Sequence, residues 1–326
     1  MKEGTLYRHI LGNAWKLTWR NRALWVLGLL SVFWGGIGAY QPFNRALENV
    51  GPTISERLIQ GRGAGWIPQL SNFTPGSLAT LAVFLLITLA LLGGFIVLVT
   101  SARGGLIFAL ARRHENRPAQ LRVALRRGAE VFWPLLGIGI ITRLDIPLYI
   151  YLLNSIVSGP AAPAQLFLYV SVFVVVTVIS IILGLLGIYA SALVVLEGVP
   201  FLSALSQSIR LFARNWLVSL ELALILYVIN LLVGIAILAG LFAAGIPFVL
   251  LGLIFTSLKV PGGLMTVIIP AAILGILLLI VAGAIFVTFQ YAAWVLLYLR
   301  IRETRAVAKI VRLTSRFAHI LHRRIA

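Results

Sequence analysis

Long apolar runs alternate with short basic segments from one end of this chain to the other, and no feature restricts the fold more. Leu78 to Val99, for instance, carries no charged residue. Runs of this length match the roughly 20 helical residues that cross about 30 Å of hydrocarbon. Inside lipid every backbone N–H and C=O must be satisfied within the protein, which leaves helical bundles and closed barrels as the spanning structures. The runs lack the in–out alternation of barrel strands. The chain therefore reads as all-α, a polytopic transmembrane helical bundle forming a single domain over residues 1–326. Its six expected spans are residues 23–40, 78–102, 131–153, 166–196, 217–243 and 273–299.

Composition agrees. Hydrophobic residues make up 60% of the chain and charged residues 11%, with a mean hydropathy of +1.02, far from the roughly 25% charge of soluble domains. The formal charge of +18 would suggest nucleic acid in a soluble protein, but the positions of the charges point to a membrane surface instead. With 0 cysteines the chain has no disulfide, no thiolate nucleophile and no cysteine-held metal. The polar and basic stretch before Ala23 is too long for an ordinary signal-peptide head, and Trp25, Trp34 and Tyr40 suit an anchored first span.

Charge asymmetry sets direction. Residues 1–22, 103–130, 197–216 and 300–326 hold 5, 7, 2 and 8 Lys and Arg, 22 in all, whereas the opposite connections hold four, Arg45, Arg57, Arg62 and Lys259. The positive-inside rule then puts both termini in the cytoplasm of a multi-pass cell-membrane protein. Residues 246–272 test this parity. Ile246 to Leu258 is apolar but spans only 13 residues, between Gly245 and Pro261-Gly262-Gly263, so a re-entrant or interfacial hairpin on the outer side is expected there.

Three of the basic segments are amphipathic at helical spacing. In residues 199–216, Phe201, Leu205, Ile209, Phe212 and Trp216 oppose Ser203, Ser206, Gln207, Arg210 and Arg214. In 118–132, Leu121, Leu125 and Phe132 oppose Arg122, Arg126 and Glu130, and near the N-terminus Leu6, Ile10, Ala14 and Leu17 oppose Arg8, Lys16 and Arg20. Such helices lie in the membrane interface. Sliding residues 11–21 onto 205–215 aligns Leu11 with Leu205, Leu17 with Leu211 and Arg20-Asn21 with Arg214-Asn215. A threefold unit of interfacial helix, span and span follows. The tail, residues 300–326, repeats the amphipathic pattern and is expected to form a helix on anionic lipid.

The stretch from Tyr189 to Trp216, YASALVVLEGVPFLSALSQSIRLFARNW, has a span ending in small residues, then Glu-Gly, then Ala-Leu-x-x-Ser, then Asn-Trp before the next span. With the order of elements, it resembles the six-helix bacterial and archaeal membrane families of unknown function related to the membrane domain of glycerophosphodiester phosphodiesterases. The resemblance implies a helical membrane domain and brings no catalytic residues; the soluble phosphodiesterase domain has no counterpart in this sequence.

Chemistry is sparse. The chain has no HExxH, no GxSxG and no phosphate-binding glycine loop, and its paired histidines, His319 and His322, stand among arginines that oppose a cation. Gly93-Gly94 and Gly104-Gly105 read as close-packing points between helices. Ionisable groups inside spans are the better lead, because they are costly in lipid and face a bundle interior or a wet cavity. Arg143, Asp145 and Asn230 fall roughly 18–21 Å into their helices, and form the candidate intramembrane polar site. The competing reading has Arg143 and Asp145 snorkelling to the outer interface from a helix broken at Pro147. Glu221 reads as an inner-interface partner for Arg210 or Arg214, and Glu197 as an interfacial anchor or packing residue. The function expected is a non-enzymatic membrane protein with an envelope or lipid-related role, without cofactor or nucleic acid, its partners the bilayer and anionic headgroups at the cytoplasmic face. The alternative is a secondary transporter with its site at Arg143, Asp145 and Asn230.

Overall fold

A computed structural model describes residues 6–32, 75–144, 148, 151, 163–260 and 262–303. Eight α-helices account for almost all of them: α1 (Leu6–Arg20), α2 (Leu24–Val32), α3 (Pro75–His114), α4 (Leu121–Glu130), α5 (Phe132–Ile141), α6 (Pro163–Ala192), α7 (Phe201–Ser257) and α8 (Gly263–Glu303). A π-helical turn, Leu193–Glu197, prolongs α6.

Four helices, α3, α6, α7 and α8, are long and apolar enough to cross a membrane, as expected of a multi-pass membrane protein. The first and third expected spans are described only in part: α2 covers 9 residues and α5 covers 10. The rest of the first, most of the rest of the third including Asp145, and the tail beyond Glu303 lie outside the described residues.

Residues 246–272 are the end of α7 and the start of α8. Gly245 and Pro247 stay inside α7 and Pro270 stays inside α8, so α7 runs for 57 residues to Ser257 and α8 for 41 from Gly263. The physical reason is that an apolar segment keeps its helix where unwinding would leave backbone groups unsatisfied. α7 ends in a Schellman motif: Val260 N–H donates to Phe255 C=O at 3.1 Å and Lys259 N–H to Thr256 C=O at 3.1 Å, with Lys259 left-handed at φ 52°.

The threefold unit is visible as three elbows between an amphipathic helix and an apolar one. They fall at Asn21, at Val131 (φ −106°, ψ 21°) and at Asn215 inside α7 (φ −128°, ψ 24°). Asn21 Nδ2 donates to Leu17 C=O at 2.9 Å and Asn215 Nδ2 to Leu211 C=O at 3.0 Å. These two elbows are thus closed by the same i−4 side-chain bond at residues the repeat aligns, whereas Val131 has no such side chain. Seven residues before each elbow stands a small, fully buried residue, Ala14, Ala124 or Ser208. α1 packs on α8, α4 on α3, and α7 on α6.

Among the described residues burial is concentrated at one end of this bundle, with Val176 and Val267 buried outside it. The core draws on Val99 to Ala111 of α3, Leu185 to Val195 of α6 and its π turn, Ala204 to Leu226 of α7 and Ala284 to Tyr298 of α8, joined by α1, α2 and α4. Contact there is close. A Cβ at Gly128 of α4 would stand 1.9 Å from Ser101 O of α3, and one at Gly105 would stand 2.7 Å from Ala124 O. The amphipathic stripe of α4 differs from the expected one: Ala124 and Gly128 are buried, while Leu121 and Leu125 pack at the core's margin. Backbones approach most closely where side chains are smallest. At the other end the same helices expose many large aliphatic side chains, α3 on every face from Leu81 to Leu92 and Leu86 at 66% among them.

Candidate functional site

The π turn shapes the polar centre of the packed end. π segments insert extra backbone into an α-helix and recur at functional sites. Here the turn ends at Glu197, and Gly198, left-handed at φ 69°, swings the chain into Pro200 and α7. Glu197 accepts from the Tyr298 hydroxyl, from Arg302 Nε at 2.7 Å and from the second guanidinium nitrogen, Nη2. The Arg302 fork is bidentate, the geometry in which an arginine–carboxylate pair is strongest. Tyr298 is buried, whereas the Glu197 and Arg302 side chains are 28% and 45% exposed, so the triad joins the core to the surface.

The Tyr298 ring lies 6.5 Å, centroid to centroid, from that of Tyr189, whose hydroxyl shares a 2.6 Å hydrogen bond with Ser219. Two residues on, Ser191 accepts a 3.0 Å hydrogen bond from Arg103 of α3 and donates to Gly187 C=O at 2.6 Å. Arg103 is 7% exposed. Its Nε and the hydroxyls of Thr100 and Ser101 are buried without a hydrogen-bond partner among the described residues. From α4, Arg127 donates to Glu130 at 3.2 Å and to Val195 C=O of the π turn at 3.5 Å.

The residues expected from sequence are dispersed around this centre. Glu197 is its acceptor. Glu221 accepts from the Tyr7 hydroxyl, tying α1 to α7, and Arg210 and Arg214 are exposed on the amphipathic part of α7. Arg143 is half-buried just beyond α5 and Asn230 half-buried on α7; Asp145 lies outside the described residues, so the trio is not described as one site. Gly104-Gly105 pack tightly against α4, whereas Gly93 and Gly94 meet nothing within 4 Å. Sequence reasoning missed Arg103, Tyr189, Ser191, Tyr298 and Arg302 as members of one polar centre. Arg103 had counted as a topology charge, yet it directly precedes the Gly104-Gly105 pair, and small neighbours that draw a second helix close will also bury the arginine beside them.

Chemically the arrangement braces the helices against one another. Among the described residues no group of three or more His, Cys, Asp or Glu could hold a metal. Residues 9–301 match a family described as a domain of unknown function (DUF7847). No curated protein and no solved structure matches.

Proposed function

Because the chain belongs to the DUF7847 family, whose description names no activity, we propose from its own chemistry that it is a non-enzymatic membrane scaffold engaging anionic lipid headgroups at the cytoplasmic leaflet. In this reading it crosses the membrane six times and keeps both termini in the cytoplasm. The resemblance to the membrane domain of glycerophosphodiester phosphodiesterases belongs to the same proposal, as a likeness of architecture.

The observation that carries the reading is the set of elbows. Trp25, Trp133 and Trp216 stand just past them, the last two 76% and 53% exposed, where an aromatic belt marks a membrane boundary. On the other side of each elbow the exposed basic residues, Arg8, Lys16 and Arg20, then Arg122 and Arg126, then Arg210 and Arg214, face the headgroup layer. Each such residue can contribute about 1 kcal/mol against an anionic surface.

Two measurements test this. Ser206→Cys on α7 before its elbow and Ser257→Cys at the α7–α8 tip are both exposed sites. In intact cells the second should react with an impermeant thiol reagent and the first should not; the reverse pattern refutes the orientation. In nanodiscs, phosphatidylglycerol should raise the thermal midpoint above that in neutral lipid, and the gain should shrink in high salt and in a variant with Arg122, Arg126, Arg210 and Arg214 all changed to Gln. A gain indifferent to salt and to these arginines would contradict the scaffold reading.

A further inference from the structure

In the orientation proposed above, the α7–α8 hairpin is longer than the membrane is thick. From Trp216 at the cytoplasmic boundary, Pro247 lies 31 residues along α7, and from Arg300 at the same boundary Pro270 lies 30 residues back along α8. Either distance is about 45 Å along the helix, which at an ordinary tilt of about 20° matches the roughly 40–45 Å of a bilayer with its headgroups. Both prolines therefore fall at the outer membrane surface. Beyond them α7 continues over residues 248–257, and α8 has come in over residues 263–269.

The two prolines also stand at one height in the hairpin. A Cβ at Gly263 would lie 2.9 Å from Phe255 Cβ, and one at Gly275 would lie 3.7 Å from Leu241 Cδ2, so these two pairs fix the antiparallel register of α7 and α8. Pro247 is 8 residues from Phe255 and 6 from Leu241, while Pro270 is 7 from Gly263 and 5 from Gly275. The heights agree to within about one residue, or 1.5 Å. A proline has no N–H for the carbonyl four residues back, so each helix lacks a bond at this height and bends there most easily. Two helices weakened at one height can bend together, whereas weak points at different heights would brace each other.

The arm past the prolines is apolar and uncovered. Val249, Leu253, Leu258 and Met265 are 61–67% exposed, and the one charged residue in the sequence between Glu221 and Arg300 is Lys259, at the tip. Standing straight, the arm would hold this surface in water, at a cost that grows with its area. The nearest apolar phase is the outer leaflet. Thr256, Ser257 and Lys259 give the tip the polar end that suits a headgroup layer.

We propose that Pro247 and Pro270 form a hinge at the outer membrane surface, through which residues 248–257 and 263–269 bend onto the outer leaflet. There the aliphatic side chains seat at the boundary of headgroups and acyl chains, as those of interfacial helices do, and Lys259 reaches the phosphates. This rests on the orientation proposed above and adds a contact with the outer leaflet to the cytoplasmic one.

The test uses the full-length protein in liposomes of phosphatidylcholine and phosphatidylglycerol, with nitroxides on cysteines introduced into this cysteine-free chain. Single labels at Leu253 and Met265 should collide several-fold more with oxygen, which concentrates in lipid, than with a water-soluble nickel chelate. Preference for nickel at both sites would mean that the arm stands in water, and it overturns the proposal. Low collision with both reagents, together with spin–spin broadening that disappears on dilution with unlabelled protein, would assign the arm to a second copy and overturns it too. The bend is read from a pair of labels at Leu231 and Ser257, which a straight helix holds about 39 Å apart. The wild-type distance should fall clearly short of that value, and Pro247→Ala combined with Pro270→Ala, which restores both helix bonds, should return it. A straight-helix distance in the wild type overturns the hinge, as does an equally short distance in the double variant. The wild-type readings decide the matter even where the double variant fails to fold. The orientation fails separately, through the thiol labelling of Ser206→Cys and Ser257→Cys.

Discussion

The two halves of this bundle are built from the same four long helices and solve opposite problems. At the packed end α3 and α4 cross at glycines, polar side chains pair between helices, and whole faces disappear from solvent. In the open half the helices carry larger and more uniformly apolar side chains, yet bury few of them. Gly93, Gly94, Gly184, Gly234, Gly240, Gly252 and Gly283 meet nothing within 4 Å. The difference follows the general rule that hydrophobicity does not drive helices together in lipid, since an acyl chain is as good a neighbour as a leucine. Close backbone approach and interhelical hydrogen bonds do.

The largest effect should come from refilling a close crossing. Gly128→Leu places its side chain where Ser101 O already stands 1.9 Å from the Cβ position, and overpacking of this kind costs about 3 kcal/mol or more. Loss of folded protein in size-exclusion profiles is expected, whereas Gly94→Leu should purify like the wild type. If both behave alike, the contrast between the halves is wrong.

Next comes the triad. Glu197→Ala removes the acceptor shared by Tyr298 and Arg302, leaving a buried hydroxyl unpaired at a cost of about 1–3 kcal/mol. Thermal denaturation should show a clear fall in midpoint. Tyr298→Phe deletes only the donor and should cost about 1 kcal/mol.

Asn21→Ala and Asn215→Ala remove the equivalent elbow bonds and should each cost roughly 0.5–1.5 kcal/mol. Similar losses would sharpen the repeat; a loss at one elbow alone would weaken it. The smallest change should be Leu86→Ala on the 66% exposed arm of α3, within about 0.5 kcal/mol of the wild type.

The long apolar helices were legible because hydrocarbon demands length and tolerates few charges, both readable along one chain. The extent of α7 and α8 was not. Gly245 and Pro247 look like helix breakers by the standards of water, but an apolar environment penalises the unwound alternative more. The packed face of α4 was misjudged for a related reason: Leu121 and Leu125 are the more apolar residues, but Ala124 and Gly128 are the ones that let α3 approach. The elbows were partly visible through the Arg-Asn pairs. The polar centre was mostly hidden, because its partners are 88 residues apart for Arg103 and Ser191 and 101 apart for Tyr298 and Glu197. Within its own span Tyr298 reads only as an aromatic near the interface.

The account turns on the claim that α3 passes from a lipid-surrounded arm to a protein-packed base near Val99. The chain has 0 cysteines, so nitroxide labels can be placed singly from Leu81 to Ala111 in the reconstituted protein and their collision with oxygen measured by electron paramagnetic resonance. The account predicts uniformly high oxygen accessibility with no helical period from Leu81 to Leu92, then a sharp drop with immobilised spectra from Val99 onward. A 3.6-residue oscillation in accessibility along Leu81 to Leu92 would reveal a protein-covered face there and contradict the account.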